Sequence, residues 1–521
     1  MDEGHPRRWL ILAVMCLSLV LIVAAVSSLN LAIPTIRGAL NASGTQLLWI
    51  VDSYGLVFAG FLLPAGALGD RFGRREALIV GLLIVLVTSV GASYAGSPAA
   101  LIAWRSAMGL GAALMMPATL SIVTVVFPKR ERSRAIAIWV GFAGAGGALG
   151  LLGGGILLEA FWWGSVFFVN VPIAAAALIA TVAIVPTSRD SEKRPLDYVG
   201  AVVSIVGLAA LLYAIIEGPA RGWGEPLTIA GFVAAAVLLT SFVLWELRTN
   251  WPMLDPRFFK NRRFSIGSIS ITMVFLTMFG FFFVITQYFQ FVQGLSPLNA
   301  AVRTLPLTGI FILISPLSVT LKRRFGGRAT VTFGLLVGAL GFGMFGLLTP
   351  DSPYWFIVIP MMIMSGGMAM MMAQSSEAIV TSLPQDKAGV GSAVNDTTRE
   401  VGGAIGIAVM GSILAVGYRS GLGDVVDTLT PESAERVRDS IGQALAVAAD
   451  APAEQARLIT DAAANAYTDG LALAFFVSAG LMVATAIVVA VFHAGDGPEV
   501  QAPEVQAQET QTQQDSGASP I

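Results

Sequence analysis

Gly66 to Arg75 reads GALGDRFGRR. An apolar run from Leu47 to Leu68 leads into it, and a second, Ala77 to Tyr94, leads out. Each run suits a membrane-crossing helix, which takes about 20 apolar residues. One acid, Asp70, and three arginines, Arg71, Arg74 and Arg75, are therefore set in a tight, glycine-rich turn between two membrane helices. Glycine lets helix ends approach closely, and arginines hold such a turn on the cytoplasmic side. An acid among them pairs with an arginine or caps a helix N-terminus. The arginines alone would make a topology-setting loop; the whole string, with its spacing, is more specific than that.

Similar apolar runs recur along the chain. Of 521 residues, 55% are hydrophobic and only 12% charged, too few charges to cover a soluble protein of this size. The fold class is all-α and polytopic, because only helices satisfy their own backbone groups in lipid over such lengths. A net charge of −2 gives no reason to expect a nucleic-acid partner. The single cysteine, Cys16, allows no internal disulfide, and no metal or other cofactor is expected. His5 and His493 both lie outside the apolar runs, so proton chemistry within the membrane must use carboxylates. Arg7 and Arg8 precede a first run too long for a cleaved signal segment, which reads as a retained helix.

Fourteen spans are expected. The first eight run Trp9–Ile33, Thr45–Leu68, Ala77–Tyr94, Pro98–Phe127, Ser133–Leu158, Trp163–Val185, Tyr198–Glu217 and Pro226–Glu246. The last six run Ser265–Phe291, Pro297–Leu321, Ala329–Leu348, Tyr354–Leu383, Gly389–Val416 and Tyr467–Phe492. An even count puts both termini on one side, and the excess of Lys and Arg in alternate loops makes that side the cytoplasm. After the tenth span, LKRRFGGR from Leu321 echoes LGDRFGRR from Leu68, with Arg323 in the place of Asp70. Two related six-helix bundles, 1–186 and 265–493, with an inserted helix pair at 187–264 follow from that echo. Residues 419–465, alanine-rich and acidic, are expected on the outer side as a pair of short amphipathic helices, the other reading being a flexible loop. The Gln/Glu/Pro/Ser-rich tail, 494–521, is expected to be disordered and cytoplasmic.

Ionisable groups inside spans cost about 2.5 to 3.5 kcal/mol at the helix centre, so they mark candidate chemistry. Asp52 lies in the second span on one helix face with Trp49 and Leu56. It reads either as an anion lining a cavity, able to hold a cation or a proton, or as an interfacial acid within reach of water. Glu400 lies near the middle of the thirteenth span, with Asp396 one turn earlier and Gly402 and Gly403 beside it. A carboxyl group at that depth can be neutral in one state and charged in another, as a proton carrier requires; the other reading is a fixed salt bridge to Arg105. Arg105, in WRSAMGLG of the fourth span, must meet a carboxylate, carbonyls or water. Glu377 lies nearer the cytoplasmic end of the twelfth span, a vestibule position. Phe279, Phe281, Phe282, Phe283, Tyr288 and Phe289 of the ninth span face either a ligand cavity or lipid.

Five strings together resemble one family: WIVDSYGLVFAG from Trp49, GALGDRFGRR from Gly66, the Arg105 segment, FWWGSVFFVNVP from Phe161 and NDTTREVGGAIGIAVMGS from Asn395. The resemblance is to the fourteen-helix drug:proton antiporter branch of the major facilitator superfamily, the quaternary-ammonium and biocide exporters of the QacA and SmvA type. It implies a major facilitator fold of two six-helix bundles plus an inserted helix pair. It gives Asp52 to cationic drug recognition, Glu400 to proton coupling and Arg105 to the proton-linked arginine. Gly66, Asp70, Arg71, Gly73 and Arg74 become a cytoplasmic gating loop. Two positions depart from the family. Ala25 stands where a first-helix aspartate is usual, and Leu151 follows Gly150 where a proline is usual.

The expected function is export of amphipathic or cationic drugs across the cytoplasmic membrane by proton antiport. Proton coupling falls to Glu400, Asp52 and Arg105, and substrate binding to Asp52, Trp49, Asn30, Glu377, Phe283 and Gln287. The expected partners are a lipophilic cation or amphipathic drug, protons and membrane lipid, and the chain is expected as a monomer. Alternatives are a dedicated exporter of one metabolite, which Ala25 favours, and a membrane sensor that moves nothing. An enzyme would need a nucleophile–base or metal constellation, and the sequence presents none.

Overall fold

A computed structural model describes residues 5–42, 44–188, 197–383 and 387–492. The tail 494–521, assigned from the sequence, lies outside the described residues. Among the described residues fourteen helices are long and apolar enough to cross a membrane. In chain order they begin with α1 (Arg8–Leu40), α2 (Gly44–Phe72), α3 (Arg74–Ser93), α4 (Pro98–Val126) and α5 (Lys129–Ala160). The sixth crossing is shared by α6 (Ser165–Phe168) and α7 (Asn170–Ile184), and α8 (Tyr198–Arg221) and α9 (Pro226–Glu246) are the inserted pair. Then come α10 (Arg262–Gln287), α11 (Pro297–Phe325), α12 (Gly327–Phe345), α13 (Tyr354–Thr381) and α14 (Ala388–Gly421). Two short helices, α15 (Pro431–Asp439) and α16 (Ile441–Ala449), precede the last crossing, α17 (Ala453–Phe492). An even number of crossings among the described residues brings the start of α1 and the end of α17 to one side, here called the terminal face.

The turn expected over Gly66–Arg75 is far shorter than the sequence suggests. Gly66 to Phe72 continue α2 as helix, and α3 starts at Arg74. Gly73 alone makes the break, at φ +122°, a conformation that L side chains rarely adopt. The echo after the tenth span has the same construction: Gly326, at φ +82°, separates α11 from α12. The first helix also outruns expectation, because Pro34 does not end it. The pair of short helices expected between the last two spans is present as α15 and α16. It is tied back by the Tyr418 hydroxyl, which donates to the Val437 carbonyl at 2.9 Å.

Helices α1 to α7 pack as one bundle, and α10 to α14 with α17 as the other. The second is filled by an aromatic cluster in which Phe281 lies 5.1 Å from Phe345 and 5.7 Å from Phe475, ring to ring. Phe281, Tyr288 and Phe289 are fully buried, so they are core and line no cavity. The bundles meet where α14 packs on α2 and α4, and where α11 and α13 pack on α5. Helix α8 lies across that boundary, touching both α2 and α14. Its partner α9 has only 17% of its apolar window buried, which leaves the rest for lipid.

Candidate functional site

Near the terminal face the two bundles are latched together at Asp70. Its Oδ1 accepts Arg74 Nε at 2.9 Å within the first bundle. Oδ1 also accepts the amide of Gly389 at 2.9 Å, and Oδ2 that of Val390 at 3.1 Å. Those amides are at the N-terminus of α14, where the first turn leaves its donors unsatisfied and the dipole favours an anion. A buried carboxylate is tolerable there because charged and backbone donors surround it. The helices touch backbone to backbone: a Cβ placed on Gly66 would lie 2.6 Å from the Gly389 carbonyl oxygen. Of the gating residues, Gly66, Asp70, Gly73 and Arg74 build the latch, while Arg71 is half-buried with its guanidinium 5.2 Å from the Phe72 ring.

A second tie closes the other side of the same face. Glu377 Oε1 accepts the Ser133 hydroxyl of α5 and pairs with Lys322 Nζ of α11 at 3.1 Å. Deeper in, Ser315 of α11 donates to the Ala137 carbonyl of α5 at 2.6 Å. Arg323, which replaces the latch aspartate in the echo, donates to the Arg130 carbonyl at 3.3 Å.

Above these ties, charged groups of the two bundles face one another. Arg105 is 1% exposed. Its Nε donates to the Ile50 carbonyl at 3.1 Å, and its guanidinium lies 4.4 Å from the Tyr54 ring centroid. Among the described residues no carboxylate lies within ion-pair distance of Arg105, so the fixed Arg105–Glu400 salt bridge is not formed. Asp52 lies within electrostatic range of Arg105, and Glu400 within range of Tyr54. Asp52 and Glu400 are each half-buried. One turn before Glu400, Asp396 is 1% exposed; its Oδ1 accepts Asn395 Nδ2 at 3.1 Å and pairs with Arg399 at 3.5 Å. Arg399 is held between the rings of Phe275, at 4.6 Å, and Trp139 of the first bundle, at 5.6 Å.

The remaining sequence candidates are more scattered. Trp49 stacks on Tyr213 of α8. Phe283 is 38% exposed on α10, and Gln287 Nε2 donates back to its carbonyl at 3.1 Å. The side chain of Asn30 lies outside the described residues. Ala25 is buried, and its neighbour Ala24 packs on Gly150, whose added Cβ would meet the Ala24 carbonyl at 2.6 Å. Through Leu151, α5 runs as one helix from Lys129 to Ala160. Sequence reasoning did not bring Tyr54, Trp139 and Arg399 together with these candidates. For Arg399 the signal was available, as an arginine inside an apolar span.

Two helical bundles latched at one face, with carboxylates and arginines buried between them, define a membrane transporter of the two-bundle kind. Over residues 15–407 the sequence matches the Major Facilitator Superfamily, and the chain belongs to that family. It is 37% identical over 497 residues to the multidrug efflux pump LfrA of Mycolicibacterium smegmatis, covering 94% of this chain and 98% of the relative. It is 33% identical to the tetracenomycin C resistance and export protein of Streptomyces glaucescens, over 95% of this chain and 93% of the relative. The methyl viologen resistance protein SmvA of Salmonella typhimurium is also 33% identical, over 88% of this chain and 93% of its own. Among solved structures, the proton:xylose symporter XylE superposes with a TM-score of 0.61 at 13% identity, covering 94% of this chain and 96% of that one. That likeness shows the fold.

Proposed function

We propose that the protein exports amphipathic cations from the cytoplasm in exchange for protons. The observation that carries this reading is the placement of Asp52 and Glu400 on facing bundles, above a latched terminal face. An anion half-buried beside Trp49 attracts a lipophilic cation, and a mid-membrane carboxyl on the opposing bundle is suited to take a proton. A proton arriving from outside neutralises Glu400 and releases the cation outward. The latch then opens and the site reloads from the other side. The membrane potential supplies about 2.3 kcal/mol per 100 mV for each net charge carried inward, so a one-for-one exchange of a proton for a monovalent cation is driven by the pH gradient. The named drug exporters among the relatives support export of this class.

In this reading the terminal face is cytoplasmic, the membrane is the cytoplasmic membrane, and the chain acts as a monomer in lipid. The units are the bundles 1–186 and 265–493, the inserted pair 187–264 and the tail 494–521. Glu377, in its tie to Lys322 and Ser133, contacts substrate only once the terminal face opens. Purified protein in liposomes tests the proposal, with an imposed pH gradient and lumenal pH recorded as ethidium is added. Ethidium-evoked proton movement, absent in Glu400→Gln, is the expected result. No movement with any of a panel of lipophilic cations would overturn it, and a single responding compound would favour a dedicated exporter.

A further inference from the structure

A cavity of about 230 Å3 lies at the terminal face, on the boundary between the bundles. Thr124, Lys129 and Arg132 line it from the end of α4 and the start of α5. Thr381 and Ala388 line it from the end of α13 and the start of α14, and apolar side chains make up the rest. Among the described residues two cations and no acid line it. Cations near helix ends are ordinary on the cytoplasmic side of a membrane protein, where they face water. Arg132 is placed differently: its Nε is shut off from solvent and meets no acceptor among the described residues. A buried charged donor of that kind is rare and costly, and it calls for a partner.

The acids nearby are already engaged. Glu377, within electrostatic range of Arg132, pairs with Lys322 at 3.1 Å and accepts the Ser133 hydroxyl. Glu131 pairs with Arg8 at 2.6 Å. Lys129 and Arg132 therefore leave the cavity with a net positive charge. Two helices also begin there, α5 at Lys129 and α14 at Ala388, and neither is capped by the side chain that precedes it. Helix starts hold unsatisfied amides and the positive ends of the dipoles, and so favour an anion. The Thr124 and Thr381 hydroxyls donate to the Ser121 and Glu377 carbonyls, so the charge of an anion would be met by the cations and the helix starts.

We propose that this cavity is a binding site for an oxyanion of the phosphate class, clasped by Arg132 and Lys129 of the first bundle and by the start of α14 in the second, and that its occupant holds the terminal face closed. The volume is several times the roughly 30 Å3 share of one water, room for a phosphate group. A guanidinium presents paired N–H donors that match phosphate oxygens. The occupant touches both bundles, which part when the face opens. It therefore binds the closed form better and shifts the population toward it. The phosphate group is either free in solution or the head of an inner-leaflet lipid. The site lies apart from Asp52 and Glu400 and does not depend on which compound is exported.

The test uses purified full-length protein in a phosphate-free detergent, carrying Ser392→Cys as a thiol reporter just inside the latch. Sodium phosphate is titrated against sodium chloride at matched ionic strength, and the rate of thiol labelling is recorded. Phosphate is expected to slow labelling with a saturating midpoint. Arg132→Gln should raise that midpoint about tenfold or more, and Lys129→Gln a few-fold. Arg130→Gln, which alters an exposed neighbour outside the cavity, should leave it unchanged. Phosphate also stabilises folded proteins by exclusion from their surface, so an equal response in wild type and Arg132→Gln would overturn the proposal. If Arg132→Gln does not fold, an unchanged midpoint in Lys129→Gln would overturn it instead. Galactolipid vesicles with and without phosphatidylglycerol separate the two sources. Slowing by phosphatidylglycerol alone, lost in the same variants, would support the proposal with a lipid head as the occupant. No response to free phosphate or to phosphatidylglycerol would overturn it.

Discussion

The guanidinium of Arg399 lies 5.6 Å from the Trp139 ring centroid, across the boundary between the two bundles. Trp139 is itself fixed, its Nε1 donating to Thr119 Oγ1 at 3.2 Å. Arg399 also neutralises Asp396, so one side chain links charge balance in the second bundle to packing in the first. Removing one partner of a buried pair costs about 3–5 kcal/mol. Arg399→Ala is expected to lower the melting temperature of detergent-purified protein strongly. Trp139→Phe keeps a ring under the cation and loses one hydrogen bond, about 1 kcal/mol. In a double-mutant cycle of Arg399→Ala and Trp139→Ala, the coupling should be about 0.5–2 kcal/mol. Strictly additive losses would show that the contact has no energetic weight.

Gly389 tests the latch. A Cβ there would lie 2.6 Å from both Asp70 Oδ1 and the Gly66 carbonyl oxygen. Gly389→Ala is expected to cost the closed terminal face about 1–3 kcal/mol, or roughly five- to 150-fold in population. Labelling of a cysteine introduced at Ser392, just inside the latch, reads this directly: the rate from the terminal face should rise. An unchanged rate would mean that the two helices part without help.

Glu400→Gln removes the proton site while keeping shape and polarity. Substrate binding should persist within a few-fold, while transport driven by a pH gradient falls to the rate of empty liposomes. Wild-type rates in this variant would remove Glu400 from the coupling role.

For Asp52→Asn the informative quantity is a ratio. Loss of one favourable charge contact in a half-buried site is expected to cost a monovalent cation on the order of 1 kcal/mol, about fivefold in affinity. A neutral amphipath should bind as before. Equal weakening of both would make Asp52 a structural residue of α2.

Much of this arrangement was legible in the sequence, for a physical reason. Charge inside a membrane span is costly, so Asp52, Arg105 and Glu400 stand out in apolar runs, and the Asp70 string stands out as a turn. What stayed hidden depends on which helix faces which. Nothing in the α5 sequence marks Trp139 as the partner of Arg399, and nothing in α8 marks Tyr213 as the partner of Trp49. Those pairings follow from helix packing and register. The aromatic run of α10 was ambiguous because lipid, core and cavity all accept phenylalanine; Phe281 and Phe289 proved to be core. The turn at Gly73 was overestimated because charged residues ending a helix resemble charged residues in a loop.

The two amide contacts that Asp70 makes across the boundary set a limit on speed. Hydrogen bonds to a charged acceptor contribute about 1.5–3 kcal/mol each, and both must break before the terminal face can open. If that energy enters the barrier in full, each further contact of this kind would slow turnover by roughly tenfold or more. Fewer contacts would let the face open uncommanded and leak protons down their gradient. Asp70 therefore sits at a compromise between tightness and rate, and a faster variant of this protein should also be a leakier one.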